Sequence, residues 1–353
     1  MGSLLKCDGD DALAAVNIAY PLTAFLQAVG TGIGMGGAIE YAINAGNQNE
    51  NRGRQYMGMA ILLLGGFSIL FTALFLFAGP QILGLFGASG EILEYSSEYL
   101  RFVSYGAVFQ IAGTGLVPFI RNMGGAVTAM AAMVTGFITN IVLDYLFVWV
   151  LPWGMMGAAV ATAIGQAMTF LVCLVFFVLK KHAPSFQFDG EGGYLASRIL
   201  GVGLSPFGLT YSPNITLILL NKSAVIFGGN IAVTCYAPIS YISAVVMLLM
   251  QGVSDGSQPL ISLAYGEGKH DTTKAVRRSG VSVCLRGSGH LLGHPFPAAG
   301  QRGLSVRRLR TGGGACGADP ADLHYRFCLC QRVQGDHRLF LCDRGKKSFG
   351  PTF

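Results

Sequence analysis

Asn140 and Asp144 are two residues of this sequence whose types and spacing could do chemistry. They lie inside the apolar run 127–150, four positions apart, so an α-helix places both on one face. A carboxylate beside an amide can hold a sodium ion, or it can take up and release a proton in a low-dielectric surrounding. A structural Asp whose bonds are satisfied by neighbouring helices is the alternative that the residues leave open. The pair indicates a candidate cation or proton site.

Other ionisable residues also lie in or near apolar runs: Glu40, Arg101, Lys222 and Asp255. A charge at the centre of a bilayer costs at least about 2.5 kcal/mol unless it faces a polar cavity or a partner. Glu40, Arg101 and Lys222 lie near the ends of their runs, where a long side chain can reach the membrane surface. These residues are therefore weaker indications of function than Asp144.

The composition predicts that these residues belong to membrane-spanning helices. Hydrophobic residues make up 52% of the 353 positions and charged residues 12%, whereas soluble domains carry about 25% charged residues. Seven apolar runs are each long enough for the roughly 20 residues that a helix needs to cross hydrocarbon. They are 17–45, 56–78, 95–119, 127–150, 156–179, 199–220 and 231–251. The predicted fold class is an all-α polytopic membrane protein.

The charges of the loops predict an orientation. Basic residues follow the odd-numbered runs; they are Arg52, Arg54, Arg121, Lys180, Lys181, Arg198, Lys269 and Lys274. Because basic loops are usually cytoplasmic, the odd-numbered spans are expected to run from outside to inside. The first run follows Asp8, Asp10 and Asp11 and not a basic segment, which argues against a signal peptide. With the N-terminus outside, we expect a further span to precede this chain in its parent protein.

A shift of 220 residues superposes part of the sequence on itself. The matched pairs are Ala12 with Ala232, Ala24 with Ala244, Gly32 with Gly252, Gly36 with Gly256 and Gly46 with Gly266. Internal repeats are frequent in transporters, so this register predicts two related halves. We predict that residues 1–185 form an N-terminal lobe without its first helix and that residues 186–276 begin a C-terminal lobe.

The tail, residues 277–353, departs from the rest in composition. It holds eleven of the sixteen Arg and five of the eight Cys, and it contains no Ile, Met, Asn, Glu or Trp. The repeat instead predicts an apolar span near 276–298. Codons for residues 330–346 can be chosen so that a one-nucleotide shift encodes an apolar, helix-like segment. We therefore expect an out-of-frame, non-native tail. A soluble basic tail is one alternative, and a zinc site is another, although its Cys and His spacing fits no common site.

The glycines of residues 32–37 satisfy the pattern GxGxxG. A dinucleotide-binding turn needs a strand before this pattern and a helix start after it, whereas these glycines lie inside one long apolar run. Small residues in membrane helices more often let two backbones approach closely. The pattern is therefore predicted to pack helices and not to bind a nucleotide.

Several motifs resemble those of the multidrug and toxic compound extrusion (MATE) family. They are residues 11–16 (DALAAV) with 20–22 (YPL), 140–144 (NIVLD), 154–162 (GMMGAAVAT), 228–229 (GG) and 258–262 (QPLIS) ahead of Gly266. The resemblance covers residues 10–276. It implies a protein of twelve helices in two six-helix lobes around a central cavity, of which this chain would hold helices two to eight.

The resemblance also implies a set of site residues. Asn140, Asp144 and Thr162 match the family's cation or proton site in the N-terminal lobe, whose further Asp on helix one has no counterpart here. Asn214 stands where some members carry a Glu on helix seven. Asn214, Gln27 and Gln110 are the candidates for the substrate cavity. No metal is expected beyond sodium at Asp144, and no other cofactor.

The function implied is a cation-coupled antiporter, not an enzyme, that exchanges sodium ions or protons for drugs or other organic, often cationic, compounds. Its expected surroundings are a lipid bilayer and small organic substrates, without nucleic acid. We expect a monomer that passes many times through the plasma or inner membrane of a bacterium. Two alternatives stay open: a gene fragment that transports nothing, and a lipid-linked sugar flippase of related architecture. Only Arg101, Arg121 and Lys222 offer the basic lining that such a flippase is expected to have.

Overall fold

The computed structural model describes residues 9–180, 183–188 and 190–293, and the regular structure in these segments is helical throughout. The helices are α1 Gly9–Gly46, α2 Glu50–Leu85, α3 Gly90–Asn122, α4 Ala126–Asp144, α5 Gly154–Lys180, α6 Gly192–Gly266 and α7 His270–Gly293. A π-helical segment, Tyr145–Val150, continues α4. The prediction of an all-α fold is confirmed.

Five helices of the described part are long and apolar enough to cross a membrane: α1 to α5, the fourth including its π-helical segment. They coincide with the first five predicted spans. The apolar stretches of α1 and α3 are mostly buried, whereas those of α2, α4 and α5 are mostly exposed. Helices α1 and α3 therefore form the centre of the bundle, and the other three present broad apolar faces suited to lipid.

Glycines bring α1 into backbone contact with two neighbours. A Cβ built on Gly34 would meet the backbone of Gly115 in α3, and one built on Gly36 would meet the backbone carbonyl of Ile199 in α6. Gly32 faces the backbone of Gly203 at 3.0 Å in the same way. Only residues without a side chain permit such an approach. The packing interpretation of the GxGxxG pattern is confirmed for these glycines.

Helix α6 differs from the prediction of two separate helices at 199–220 and 231–251. Backbone of the helical type runs through Gly192–Gly266, so no loop separates the two predicted spans, although the chain must turn sharply between them. Residues 221–230 contain no proline, the residue that most strongly ends a helix. The segment has four apolar residues at its centre, 224–227, between polar residues and glycines.

The contacts of α6 show that it nevertheless crosses the bundle twice. Gly36 of α1 lies against Ile199, and Gly46 of the same helix lies against Leu263. Gly36 and Gly46 are about 15 Å apart along α1, whereas a straight helix from Ile199 to Leu263 would span about 96 Å. Helix α6 therefore reverses direction between these contacts, and both of its ends lie on the side of the bundle where α1 ends.

The turn after α1 recurs after α6 at the distance of the internal repeat. Helix α1 ends at Gly46 and α2 begins at Glu50, while α6 ends at Gly266 and α7 begins at His270. Within the two turns Gln48 and Gly268 have positive φ angles of 59° and 72°. Each of these pairs is separated by 220 residues, so the repeat predicted from scattered identities is also present in backbone conformation.

Helix α7 occupies the place where the repeat predicts an apolar span, and its sequence is polar and basic. Its apolar residues Val281, Val283 and Leu285 are exposed. Residues 294–353, which make up most of the tail predicted to be out of frame, lie outside the described residues, and that interpretation stays a prediction.

Replacing Gly34 by Ala tests the close packing of α1 on α3. The added methyl group meets the backbone of Gly115, so Gly34→Ala is expected to lower the free energy of unfolding by about 1–3 kcal/mol. A matched control is Gly65→Ala, because a Cβ on Gly65 has no atom within 4 Å. Thermal unfolding of the purified protein in detergent compares the two. Equal melting temperatures would contradict the proposed packing.

Candidate functional site

The predicted site residues Asn140 and Thr162 meet between α4 and α5. The amide nitrogen of Asn140 lies 3.4 Å from the hydroxyl oxygen of Thr162, which in turn lies 3.0 Å from the backbone carbonyl of Ala158. One turn away, a Cβ on Gly165 would lie 2.8 Å from the carbonyl oxygen of Gly136. This glycine contact brings the two helices close enough for short polar side chains to touch.

Asp144 is half-buried at the end of α4, one turn beyond Asn140. Its oxygen Oδ1 is buried, and no group in the described part of the chain donates a hydrogen bond to it. A buried polar atom without a partner is costly, and a buried anion more so. The alternative of a structural Asp satisfied by neighbouring helices therefore does not hold for this oxygen. The oxygen can still bind a cation or a proton.

Tyr99 of α3 also lies at the candidate site, although no sequence pattern pointed to it. Its ring is buried, its hydroxyl shares a hydrogen bond with Thr162, and both Asp144 and Tyr20 lie near enough to interact with it electrostatically. Tyr99 lies on a different helix from the other site residues, so no spacing in the sequence links them. Tyr20, the first residue of the YPL motif, was the one signal that pointed towards this region.

The atoms at this site that could coordinate a cation are all oxygens. They belong to a carboxylate, an amide, a hydroxyl and a phenol. Such hard donors suit an alkali or alkaline-earth cation and not zinc or copper, which prefer thiolate and imidazole. Among the described residues no group of three His, Cys, Asp and Glu is placed to hold a metal ion. A single carboxylate with neutral oxygen ligands fits a monovalent cation or a proton.

A π-helical segment begins directly after Asp144. The wider turn is marked by the bond from the amide of Leu151 to the carbonyl of Leu146, five residues back, at 2.9 Å. Single π-helical turns inside α-helices occur often at functional sites. The segment changes the register of α4 between Asp144 and the end of the span.

The three candidates for the substrate cavity lie in different surroundings. Gln27 is exposed on α1. Gln110 is buried and donates a hydrogen bond to the carbonyl of Thr23 at 3.0 Å, which ties α3 to α1. Asn214 is partly buried and donates to the carbonyl of Thr210 at 3.3 Å. The hydrogen bonds recorded for the described residues do not join the three, and their role stays a prediction.

The remaining ionisable residues also differ in environment. Glu40 was expected near a span end with its carboxylate at the surface, but it is buried and accepts a hydrogen bond from Arg198 at 2.8 Å. A partner 158 residues away compensates its charge, which local sequence could not reveal. Arg121 pairs with Asp255 at 3.4 Å. Arg101 is exposed, and the side chain of Lys222 lies outside the described residues.

Comparison with known proteins identifies relatives of this chain. The MatE family model matches residues 1–146. A multidrug export protein MepA of Staphylococcus saprophyticus is 27% identical over 72% of this chain and 56% of its own length. The probable multidrug resistance protein YoeA of Bacillus subtilis is 27% identical over 77% of this chain and 61% of its own length. The chain thus spans somewhat more than half the length of these relatives.

The fold is also shared with solved structures. A crystal structure of MATE in complex with MaD5 superposes with a TM-score of 0.74 at 24% sequence identity, covering 80% of this chain and 64% of that chain. At this identity the likeness concerns the fold. The relatives, the family model and the many apolar helices together place the protein in a cell membrane, which it crosses several times. The motifs, the repeat and the fold therefore agree in their similarity to the MATE family, whose model matches residues 1–146.

Proposed function

We propose that this protein takes part in the cation-coupled export of organic compounds and that Asp144 is its coupling residue. The observation that carries the proposal is the buried Oδ1 of Asp144 without a donor, next to the contact between Asn140 and Thr162. The relatives named as multidrug export proteins support an organic substrate. The proposed activity is transport and not an enzymatic reaction.

The coupling ion is sodium or a proton, and the residues act on it in distinct ways. Asp144 supplies the negative charge. The amide nitrogen of Asn140 lies against Thr162, so its amide oxygen is available to bind a cation. Tyr99 holds Thr162 in place from α3 through their hydrogen bond. A bound cation draws together ligands from three helices. Protonation instead neutralises Asp144, and the three helices are then no longer drawn together.

Such binding drives transport only if the two end states of the protein bind the ion unequally. The ligands lie on α3, α4 and α5, so a shift of α3 against the other two changes the distance between Tyr99 and Thr162. A state in which these helices separate binds the ion more weakly. Export then follows because the ion, supplied from outside, favours the state with the site assembled.

The substrate is proposed to be an organic, often cationic compound that passes through a cavity beside α1 and α6. Gln27, which is exposed, and Asn214, which is partly buried, are the residues proposed to contact it. Gln110 is the weakest of the three candidates because Thr23 already occupies its amide nitrogen. We further propose that the protein acts as a monomer in the bilayer, without nucleic acid.

Replacing Asp144 by Asn is expected to remove ion coupling. The two tryptophans of the chain, Trp149 and Trp153, follow Asp144 within nine residues, so their fluorescence reports on the site. Sodium should change this fluorescence saturably at constant ionic strength. Because contacts to a charged group contribute about 1.5–3 kcal/mol, Asp144→Asn should weaken the apparent sodium affinity by about tenfold or more.

The control for this titration is Glu94→Gln, which removes an exposed carboxylate of α3 and should leave the curve unchanged. Lowering the pH should weaken sodium binding in the parent protein, because a proton and sodium compete for the same carboxylate. Export of a fluorescent organic cation from cells producing each variant provides the second measurement. Unchanged sodium and pH responses in Asp144→Asn, together with unchanged export, would defeat the proposal.

Removing the hydroxyl group of Tyr99 tests its positioning role. Tyr99→Phe should reduce sodium affinity by about two- to tenfold, since one neutral hydrogen bond contributes about 0.5–1.5 kcal/mol. The matched control is Tyr105→Phe on the same helix, because Tyr105 is 53% exposed. Both variants are compared in the tryptophan titration and by thermal unfolding. If Tyr105→Phe weakens binding as much as Tyr99→Phe, the site does not use Tyr99.

A further inference from the structure

The ends of α1 and α6 touch through two glycines. A Cβ built on Gly46 would lie 2.6 Å from the carbonyl oxygen of Leu263 and 3.0 Å from the carbonyl carbon of Gly266. A Cβ built on Gly266 would meet the carbonyl group of Ile43. The atoms in the way belong to the backbone, so no change of rotamer can make space for a side chain at either glycine.

This contact is reciprocal in the register of the internal repeat. Ile43 and Leu263 are 220 residues apart, and so are Gly46 and Gly266. In the structure Gly46 touches Leu263 while Gly266 touches Ile43. Exchange of partners in this way is the property of a contact on a twofold axis. The crossing therefore lies where the two halves of the repeat meet about their pseudo-twofold axis.

Ion pairs on the same side join the first half to α6. Arg198 donates to the buried carboxylate of Glu40 at 2.8 Å, which links α6 to α1. Arg121 at the end of α3 pairs with Asp255 at 3.4 Å, and the neighbouring Asn122 donates to the side chain of Gln258 at 3.2 Å. The basic loops that follow α1 and α3 place this side in the cytoplasm.

We propose that the Gly46–Gly266 crossing is a pseudo-symmetric seal that closes the protein towards the cytoplasm. Opening to that side then requires the two repeat-related helix ends to separate at this point. Absence of side chains lets the backbones exclude solvent between them, and the flanking ion pairs resist their separation. The inference rests on the proposed transport function only in that a transporter needs such a seal.

Spin labels at Asn47 and Glu267 measure the state of the seal. Both residues are exposed and directly follow the two glycines. With the native cysteines replaced, cysteines at these two positions carry the labels, and pulsed electron resonance gives the distance between them in lipid nanodiscs. The parent protein should show a short, narrow distance distribution. A broad distribution centred at long distances would overturn the proposal without any glycine substitution.

Gly46→Ala and Gly266→Ala should each shift this distribution to longer distances. Because both substitutions act on one contact, their shifts should be similar in size, and the double variant should shift less than the sum of the two. The control is Gly256→Ala in α6, where a Cβ has no atom within 4 Å; its distribution should match that of the parent. Additive or clearly unequal shifts would contradict a shared contact.

The tryptophan titration with sodium separates this inference from the proposed function. A seal that opens in Gly46→Ala while the protein still responds to sodium supports the proposal and shows that the variant is folded. If neither sodium nor a change of pH gives a response even in the parent, the coupling site fails, but the distances still decide the role of the crossing.

Discussion

Backbone contact through glycine is the constraint on which the arrangement of this protein depends. Gly30 and Gly34 of α1 face α3, while Gly32 and Gly36 face α6. Two residues of an α-helix turn by about 200°, so these interleaved pairs lie on nearly opposite sides of α1. Helix α1 is therefore held between two neighbours at the shortest distance that backbones allow. Helix α3, fixed in this way, carries Tyr99 to the site on α4 and α5.

The elements that could be predicted from the sequence are those with a local signal. A run of about 20 apolar residues is sufficient to indicate a span, and the first five spans were predicted correctly. The proximity of Asn140 and Thr162 was implied by the resemblance to the MATE family, which assigns both to one site. Tyr99 and the pairing of Glu40 with Arg198 could not be predicted, because each depends on how distant helices pack. The two crossings of α6 were predicted from its two apolar runs, whereas the helical backbone between them could not be predicted, because no proline marks an end of the helix there.

Helix α3 connects the two functional regions of the protein. Tyr99 lies near its beginning and Arg121 at its end, about 33 Å apart along the helix. One residue belongs to the candidate ion site, and the other pairs with Asp255 beside the cytoplasmic crossing. In the proposed mechanism, a displacement at Tyr99 is transmitted towards Arg121 along α3, which is helical from Gly90 to Asn122 with Pro118 inside it. The glycine contacts with α1 provide the surface along which such a shift takes place.

The two tryptophans indicate how deep in the membrane the candidate ion site lies. Trp149 and Trp153 are 60% and 44% exposed at the end of the fourth span that the loop charges predict to be outside, and tryptophans at helix ends prefer the level of the lipid headgroups. Asp144 lies five residues below Trp149, about 7 Å along the helix. An ion that enters from outside therefore crosses about a quarter of the roughly 30 Å hydrocarbon layer. A membrane potential of about 100 mV then contributes only about 0.5 kcal/mol to its binding. In the proposed mechanism, the electrical driving force would therefore act mainly on later movements of charge, and the concentration gradient of the ion would determine whether the site is filled.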